Sequence, residues 1–137
     1  MKRVTTSVCA SIVLASVCLL CSCDGLFGPS IPSELHGEWS WTIAHYYERF
    51  TITATTVSYF GQSTEYAGYA ASWSEEILEV HEADRILEIT GDGNGPMYLP
   101  WHLSGNTLYL DTTNPGDAYP ILADEWWLGS GYKLSRE

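Results

Sequence analysis

Beyond residue 35, hydrophobic and polar residues alternate along short stretches of the chain. In residues 38–43 the alternation is strict and places Trp39, Trp41 and Ile43 on one face. A period of two residues is typical of a strand that is buried on one side only. This stretch therefore predicts a β-strand whose aromatic face packs into a core.

The next stretch, residues 47–53, is rich in Thr and aromatic residues and predicts a second strand. Its alternation slips between Tyr47 and Phe50, which suggests a bulge or a strand that starts late. Residues 55–60 predict a third strand, which Gly61 ends.

Later strands are predicted at residues 66–73, 97–103, 107–111 and 126–134. The second and third of these form the clearest hairpin, because a Ser-Gly-Asn turn joins two alternating stretches. Pro100 inside the hairpin indicates an edge strand or a bulge. The composition of residues 91–96, with three glycines and a proline, predicts a turn.

Residues 74–90 admit two interpretations. Four of these residues are spaced three or four positions apart, as on one face of a helix: Ile77, Val80, Asp84 and Leu87. A helix capped by Ser74 would follow from that spacing. The alternative is a hairpin that turns at residues 81–84, and it is favoured because residues 86–90 are short, β-branched and stopped by Gly91.

Seven or eight short strands in meander order, without an internal repeat, predict an all-β domain at residues 35–137, either a small antiparallel barrel or a sandwich. Residues 23–34 precede it and contain glycines and prolines without any periodic pattern. That composition predicts a flexible tether.

The start of the chain has a different composition. Lys2 and Arg3 precede an uncharged, mostly apolar run that extends to Leu20, which is the layout of a secretory leader. The sequence Leu20-Cys21-Ser22-Cys23 resembles the lipobox of bacterial lipoproteins. The resemblance implies a signal peptide at residues 1–22, and a diacylglycerol thioether and an acyl chain on Cys23.

Two alternatives to this leader are an uncleaved membrane helix and a signal peptide that is cut without lipidation. Residues 4–23 are long enough to span a bilayer. Their six Ser and Thr residues make them weakly apolar for a permanent span. Asp24 resembles the inner-membrane retention signal of enterobacterial lipoproteins, and the choice between inner and outer membrane stays open.

Cysteine and charge narrow the possible chemistry. All four cysteines lie in the leader or at its end, so the processed domain has no internal disulfide, thiolate zinc site or cysteine nucleophile. Removal of Lys2 and Arg3 would leave four basic and 17 acidic residues, a net charge of −13. This excess of negative charge argues against nucleic acid as a partner.

Three segments of the domain resemble the lipocalin-like family. Residues 35–39, Leu-His-Gly-Glu-Trp, resemble its Leu-x-Gly-x-Trp opening, and residues 101–110 resemble the late hairpin of small bacterial lipocalin-like domains. The basic close at residues 133–136 is similar too. The resemblance implies an antiparallel barrel in which Arg136 packs over Trp39. The domain is short for a lipocalin, so a barrel filled by its own side chains is an alternative to one with a ligand cavity.

The sequence predicts neither a catalytic nor a metal site. Glu79, His81 and Glu82 lie close enough in sequence to suggest a metal site, but an exposed turn would contain the same residues. Residues 92–95 resemble the start of a calcium loop but lack its later ligands. Adjacent carboxylates such as Glu75 and Glu76 point to opposite faces of a strand. We therefore expect no enzyme activity.

Aromatic residues are the remaining candidates for binding. The candidate ligand residues are Trp41, Tyr59, Trp73, Trp101, Tyr109 and Trp126. Trp126 and Trp127 are neighbours and cannot both face inward from one strand. Either one of the two is therefore expected to be exposed, or both lie in a loop.

These features predict a monomeric, lipid-anchored, non-enzymatic binding module of the bacterial cell envelope, with no cofactor besides the lipid on Cys23. Its expected ligand is a small apolar molecule or a glycan. The alternative is an envelope protein with a filled barrel, whose outer surface at Trp126 or Trp127 contacts another protein.

Overall fold

The computed structural model of the protein describes residues 28–66 and 68–137. The predicted signal peptide, the lipidated Cys23 and the start of the tether lie outside the described residues. Among the described residues, no helix is long and apolar enough to cross a membrane.

Within the described residues, eight antiparallel strands form a closed barrel. The strands are β1 (Gly37–Ile43), β2 (Tyr46–Ile52), β3 (Thr56–Ser63), β4 (Ala70–His81), β5 (Ile86–Ile89), β6 (Met97–Ser104), β7 (Thr107–Leu110) and β8 (Tyr132–Arg136). Each strand pairs with its neighbour in sequence, and β8 closes the barrel on β1 by pairing Arg136 with Trp39. The predicted all-β, lipocalin-like barrel of seven or eight strands is confirmed.

The alternation of the sequence decides which side chains fill the barrel. Trp39 on β1 faces Phe50 on β2, and Leu108 on β7 faces Leu134 on β8. All four side chains are fully buried. Burial of a large apolar side chain contributes about 1.5–3 kcal/mol, so this inner face supplies most of the driving force for closure.

The connections alternate between the two ends of the barrel. At one end, the closed end, a 3₁₀ turn at Ser33–Leu35 leads into β1. Leu35 is fully buried there, and Ile31 before it belongs to the same core. The packed domain therefore extends back to Ile31, into the predicted flexible tether and before the predicted start at Leu35.

The predicted packing of Arg136 over Trp39 is present at the closed end. The Arg136 guanidinium lies 4.5 Å from the centroid of the Trp39 ring, and it also donates a hydrogen bond to the carbonyl of Glu34. Trp39 Nε1 donates to the carbonyl of Leu35 at 2.9 Å. These contacts join the first turn, the first strand and the last strand.

The ambiguous stretch at residues 74–90 is a hairpin, and the helical alternative is wrong. β4 runs to His81, and the chain turns and returns as β5. The strand predicted at residues 66–73 and the first arm of the hairpin are one long strand, which contains a bulge between Ile77 and Glu79. Because of the bulge, Leu78 and Glu79 are both exposed, and Val80 packs against the core.

Two predicted irregularities are absent from the described strands. The register of β2 against β3 is unbroken from Tyr46 to Ile52, so the parity slip is not a bulge. Pro100 lies within β6, which is paired with both neighbours in a closed barrel and is not an edge strand. The Pro100 carbonyl accepts a hydrogen bond from the Asp111 N–H at 3.1 Å, and no reciprocal bond forms because proline has no N–H. Regular pairing of β6 with β7 therefore begins at Trp101.

Residues 111–131, called the strap below, connect β7 to β8 and cross the outside of the barrel. Thr113 N–H donates to the carbonyl of Tyr98 at 3.0 Å, and the Tyr119 hydroxyl donates to Asp84 at 2.8 Å. Trp126–Gly129 is a 3₁₀ turn, so the closing strand starts at Tyr132 and not at Trp126 as predicted. The glycine at position 129 and the tight turn explain the difference, since neither suits a ladder.

Candidate functional site

Inward-facing side chains near the open end of the barrel form a cluster of aromatic rings around one carboxylate. This mouth cluster consists of Trp41, Glu48, Phe50, Tyr59, Trp73 and Tyr132, which come from β1, β2, β3, β4 and β8. Phe50 is fully buried and forms the floor, and the other five are partly exposed.

The rings of the mouth cluster contact one another closely. Tyr59 stacks on Trp73 with centroids 5.6 Å apart and planes 23° apart. Phe50 lies 5.1 Å from Tyr59 and 4.9 Å from Tyr132. Separations of about 4.5–7 Å are those at which aromatic pairs attract each other beyond simple burial. The cluster is therefore a preformed aromatic surface at the end of the core.

Glu48 brings a negative charge into this aromatic surface. It pairs with Trp41 on β1, so its side chain points inward like that of Trp41, and it pairs with Gly61 on β3. The Tyr59 hydroxyl donates a hydrogen bond to Glu48 Oε1 at 3.0 Å. A carboxylate in a partly apolar site is costly to desolvate, so this hydrogen bond helps to hold it there.

Gly61 makes room for that hydrogen bond. A Cβ atom at position 61 would overlap the hydroxyl of Tyr59 and lie 2.8 Å from its Cζ. Because glycine has no side chain, the Tyr59 ring lies flat along β3 and its hydroxyl reaches Glu48. Residues 59, 61 and 48 therefore form one local unit.

The mouth has a negative electrostatic field. Burial first, and then the nearby Glu48, raise the pKa of Tyr59 far above its usual value of 10.0. Burial, Glu48 and Asp111 raise the pKa of Tyr132 in the same direction. Both phenols are therefore neutral in the physiological range, and Glu48 contributes the negative charge.

An exposed apolar rim surrounds the mouth cluster. Four large side chains at the open-end connections are 40–60% exposed: Ile43, Tyr46, Tyr66 and Tyr69. Tyr46 and Tyr69 meet edge to face with centroids 6.4 Å apart. Clustered apolar side chains at a protein surface are typical of a ligand or partner site.

Three predicted ligand residues, Trp41, Tyr59 and Trp73, meet in the mouth cluster, and the other three lie elsewhere. Trp101 is only 8% exposed and belongs to the core. Its closed-end neighbours include Pro32 and Glu82. Trp101 therefore packs in the core and does not reach the mouth cluster.

Tyr109 faces the outside of the barrel, because its neighbours Leu108 and Leu110 face in. The Lys133 ammonium lies 5.8 Å from the Tyr109 ring centroid. Trp126 lies in the strap, where a groove of about 1010 Å³ separates residues 119–127 from residues 83–86. Neither residue contributes to the interior.

The strap is held against the barrel by a stack of two rings. The Trp127 and His102 rings are 3.9 Å apart and nearly parallel, at 8°. Arg85 Nη1 donates to His102 Nδ1 at 2.9 Å, which requires a neutral imidazole with its proton on Nε2. Burial and then the Arg85 charge lower the pKa of His102.

A second polar cluster lies on the outer face of β4 and β5. His81 Nε2 is 3.1 Å from Glu88, and His81 Nδ1 is 3.8 Å from Glu79. Each ring nitrogen thus faces its own carboxylate, and the hydrogen bond between His81 and Glu88 accounts for the arrangement without a metal. Of the residues that lie close together in sequence, Glu79 is near His81 in the structure, and the second neighbouring carboxylate is Glu88 on β5.

Glu48 is the site residue that the sequence prediction missed. The signal was the slip in alternation between Tyr47 and Phe50, because Glu48 occupies the position where an apolar inward residue was expected. A polar residue on the buried face of a regular strand is typical of a functional site.

The fold and the mouth cluster define a small lipocalin-like barrel with an aromatic, acidic open end. No family model, curated protein or solved structure matches this chain.

Proposed function

We propose that this protein is a lipid-anchored binding module of the bacterial cell envelope that takes a small ligand at the mouth cluster. The observation that carries the proposal is the partly exposed aromatic surface of Trp41, Tyr59, Trp73 and Tyr132 around Glu48. Concave sites with aromatic walls and a few polar groups are the usual places for small-molecule binding.

The position of the tether suits this role. The chain enters the barrel at the closed end, where Ile31 and Leu35 are buried, and the mouth cluster lies at the opposite end. A lipid on Cys23 would hold the closed end toward the membrane. The mouth would then face the surrounding aqueous space.

The filled core supports a shallow site. Phe50 and the side chains below it occupy the centre of the barrel and are fully buried. The ligand would therefore lie on the rings of Tyr59 and Trp73, between the rim residues, with only part of its surface covered. A small apolar molecule or a sugar ring has a face suited to such stacking.

Binding rather than catalysis is the proposed role. The hydrogen-bond partner of Glu48 is the Tyr59 hydroxyl, whose pKa lies far above neutrality. A general acid or base works best with a pKa near the operating pH. This pair is suited to orienting a ligand.

The direct test is native mass spectrometry of the detergent-solubilised lipoprotein purified from its own cell envelope. We expect a bound small molecule in the unaltered protein and its loss in Trp73→Ala. Trp127→Ala, in the strap, is the matched control and should retain the molecule. Retention of the molecule in Trp73→Ala, or its absence from the unaltered protein, would contradict the proposed site.

A second candidate function is contact with another envelope protein through the strap groove. Ile121, at the edge of the groove, is 99% exposed, and Leu128 is 74% exposed. Both lie near Trp126 on the same segment. Exposed apolar side chains beside a groove are typical of protein interfaces.

Site-specific photocrosslinking in intact cells tests this candidate. A crosslinker at position 121 should capture one defined partner, and a crosslinker at the exposed Ser72 on β4 should not. Equal labelling from both positions would rule out a specific interface at the strap.

A further inference from the structure

The positive charges of the described domain all lie outside the mouth. Arg49 lies on the outer face, 3.8 Å from Glu38, and Arg85 contacts His102. Lys133 lies over Tyr109 outside the barrel, and Arg136 lies over Trp39 at the closed end. The described residues contain no other Lys or Arg.

Glu48 therefore has no basic partner among the described residues. Its neighbour is the neutral Tyr59 hydroxyl, and Asp111 adds further negative charge near Tyr132. A partly buried carboxylate is stabilised most by a positive charge close to it. The mouth thus carries a charge that the protein itself leaves uncompensated.

The surrounding rings add to this preference. The faces of Trp and Tyr are negative because of the ring quadrupole, and they attract cations that lie within about 6 Å of the centroid. Trp41, Tyr59, Trp73 and Tyr132 bring four such rings into the cluster that contains Glu48. Tyr59 and Trp73 stack on each other, so each offers a ligand its other face.

We infer that the ligand of the mouth cluster is a small organic cation, a quaternary ammonium or protonated amine group. This inference rests on the proposed function and narrows its ligand class. The cation lies beside Glu48, whose Oε1 keeps the hydrogen bond from Tyr59, and is bounded by the rings of Trp41 and Trp73. The net charge of −11 also favours the approach of cations over anions.

Isothermal titration calorimetry of the full chain in a non-ionic detergent tests the inference with two probes of equal shape. Choline carries the trimethylammonium charge, and 3,3-dimethylbutan-1-ol is its neutral carbon analogue. We expect choline to bind at least about tenfold more tightly than the alcohol, because only the cation gains from the rings and the carboxylate.

Two variants locate the effect. Glu48→Gln should weaken choline binding by about tenfold and leave the weak binding of the alcohol unchanged. Glu76→Gln removes one negative charge from an exposed position on β4 and should leave both affinities unchanged. Near-ultraviolet circular dichroism confirms that each variant is folded. The two-probe comparison on the unaltered protein needs no variant.

The outcomes separate this inference from the proposed function. Equal binding of both probes, lost in Trp73→Ala, would overturn the cation inference and support an apolar mouth site. Binding of neither probe would also overturn the cation inference. The proposed site itself fails when the molecule found by native mass spectrometry is retained in Trp73→Ala.

Discussion

At the scale of single residues, the mouth depends on the absence of a side chain at Gly61. The Tyr59 ring occupies the space beside the Gly61 Cα and places its hydroxyl 3.0 Å from Glu48. Tyr59 and Gly61 on β3 thus fix the position of Glu48 on β2, which is the only carboxylate of the mouth cluster. Each member can be altered separately.

Gly61→Ala should displace the Tyr59 ring from Glu48. The added methyl group overlaps the phenol, so we expect the pKa of Tyr59 to fall toward its usual 10.0 and the free energy of unfolding to fall by about 1–3 kcal/mol. Tyrosinate absorbance during an alkaline titration, compared with Tyr59→Phe, measures the shift. Gly129→Ala is the control, because no atom lies within 4 Å of its added Cβ. An unchanged titration in Gly61→Ala would refute this arrangement.

At the scale of elements, the sequence predicted regular strands better than their ends and connections. Strict alternation located β1, and the short β-branched run located β5. The bulge after Ile77 was not predicted, because only the pairing of β4 with β5 shows that the register shifts between Ile77 and Glu79. Trp126 was assigned to the closing strand because nothing in its composition indicates that the strap packs outside the barrel.

The strap is expected to loosen in acid. Protonation of His102 Nδ1 removes the acceptor for Arg85 and places two positive charges together. Because the pKa of His102 is lowered in the folded protein, the stabilisation is complete above its usual value of 6.5 and is lost as the pH falls through the folded pKa. Hydrogen-exchange protection factors of residues 119–128 should fall over that range.

His102→Gln is the control for the strap, because the glutamine amide does not become charged when the pH falls below 6.5. Its protection factors should be independent of pH between neutral and mildly acidic conditions. An equal acid-dependent loss of protection in His102→Gln would place the responsible group elsewhere.

Closure of the barrel at the closed end is expected to depend on Arg136. Arg136→Ala removes the cation over Trp39 and the hydrogen bond to Glu34, and should lower the free energy of unfolding by about 1–3 kcal/mol. Urea denaturation measures the loss. Arg49→Ala, which removes an exposed pair with Glu38, should cost less than about 1 kcal/mol. Equal losses would contradict a special role for Arg136.

At the scale of the whole molecule, the barrel was predictable and the site was predictable in part. The opening at Trp39, the late hairpin and the basic close indicated the fold, and Trp41, Tyr59 and Trp73 indicated aromatic binding residues. Tyr109 was misplaced because a β-strand alternates, and only the pairing tells which of its faces is inside. Glu48 was missed because a charged residue at an inward position interrupts the apolar alternation. In the sequence, that interruption looks the same as a bulge or a late strand start.

The anchor belongs to this scale as well. Cys23→Ser should block acyl-chain labelling and move the protein out of the detergent phase during phase partitioning, since it removes the thiol that we propose carries the lipid. Cys21→Ser is the matched control and should remain labelled. Continued labelling of Cys23→Ser would assign the lipid to another residue.

The most direct test of the account uses the six tryptophans as reporters of three regions. Trp41 and Trp73 lie in the mouth, Trp39 and Trp101 are buried in the core, and Trp126 and Trp127 lie in the strap. We would record the indole N–H spectrum by nuclear magnetic resonance while adding a small-molecule extract of the cell envelope.

A ligand at the mouth cluster should shift the indole signals of Trp41 and Trp73 and leave the other four in place. Shifts confined to Trp126 and Trp127, or six unchanged signals, would contradict the central claim that the open end of the barrel is the binding site.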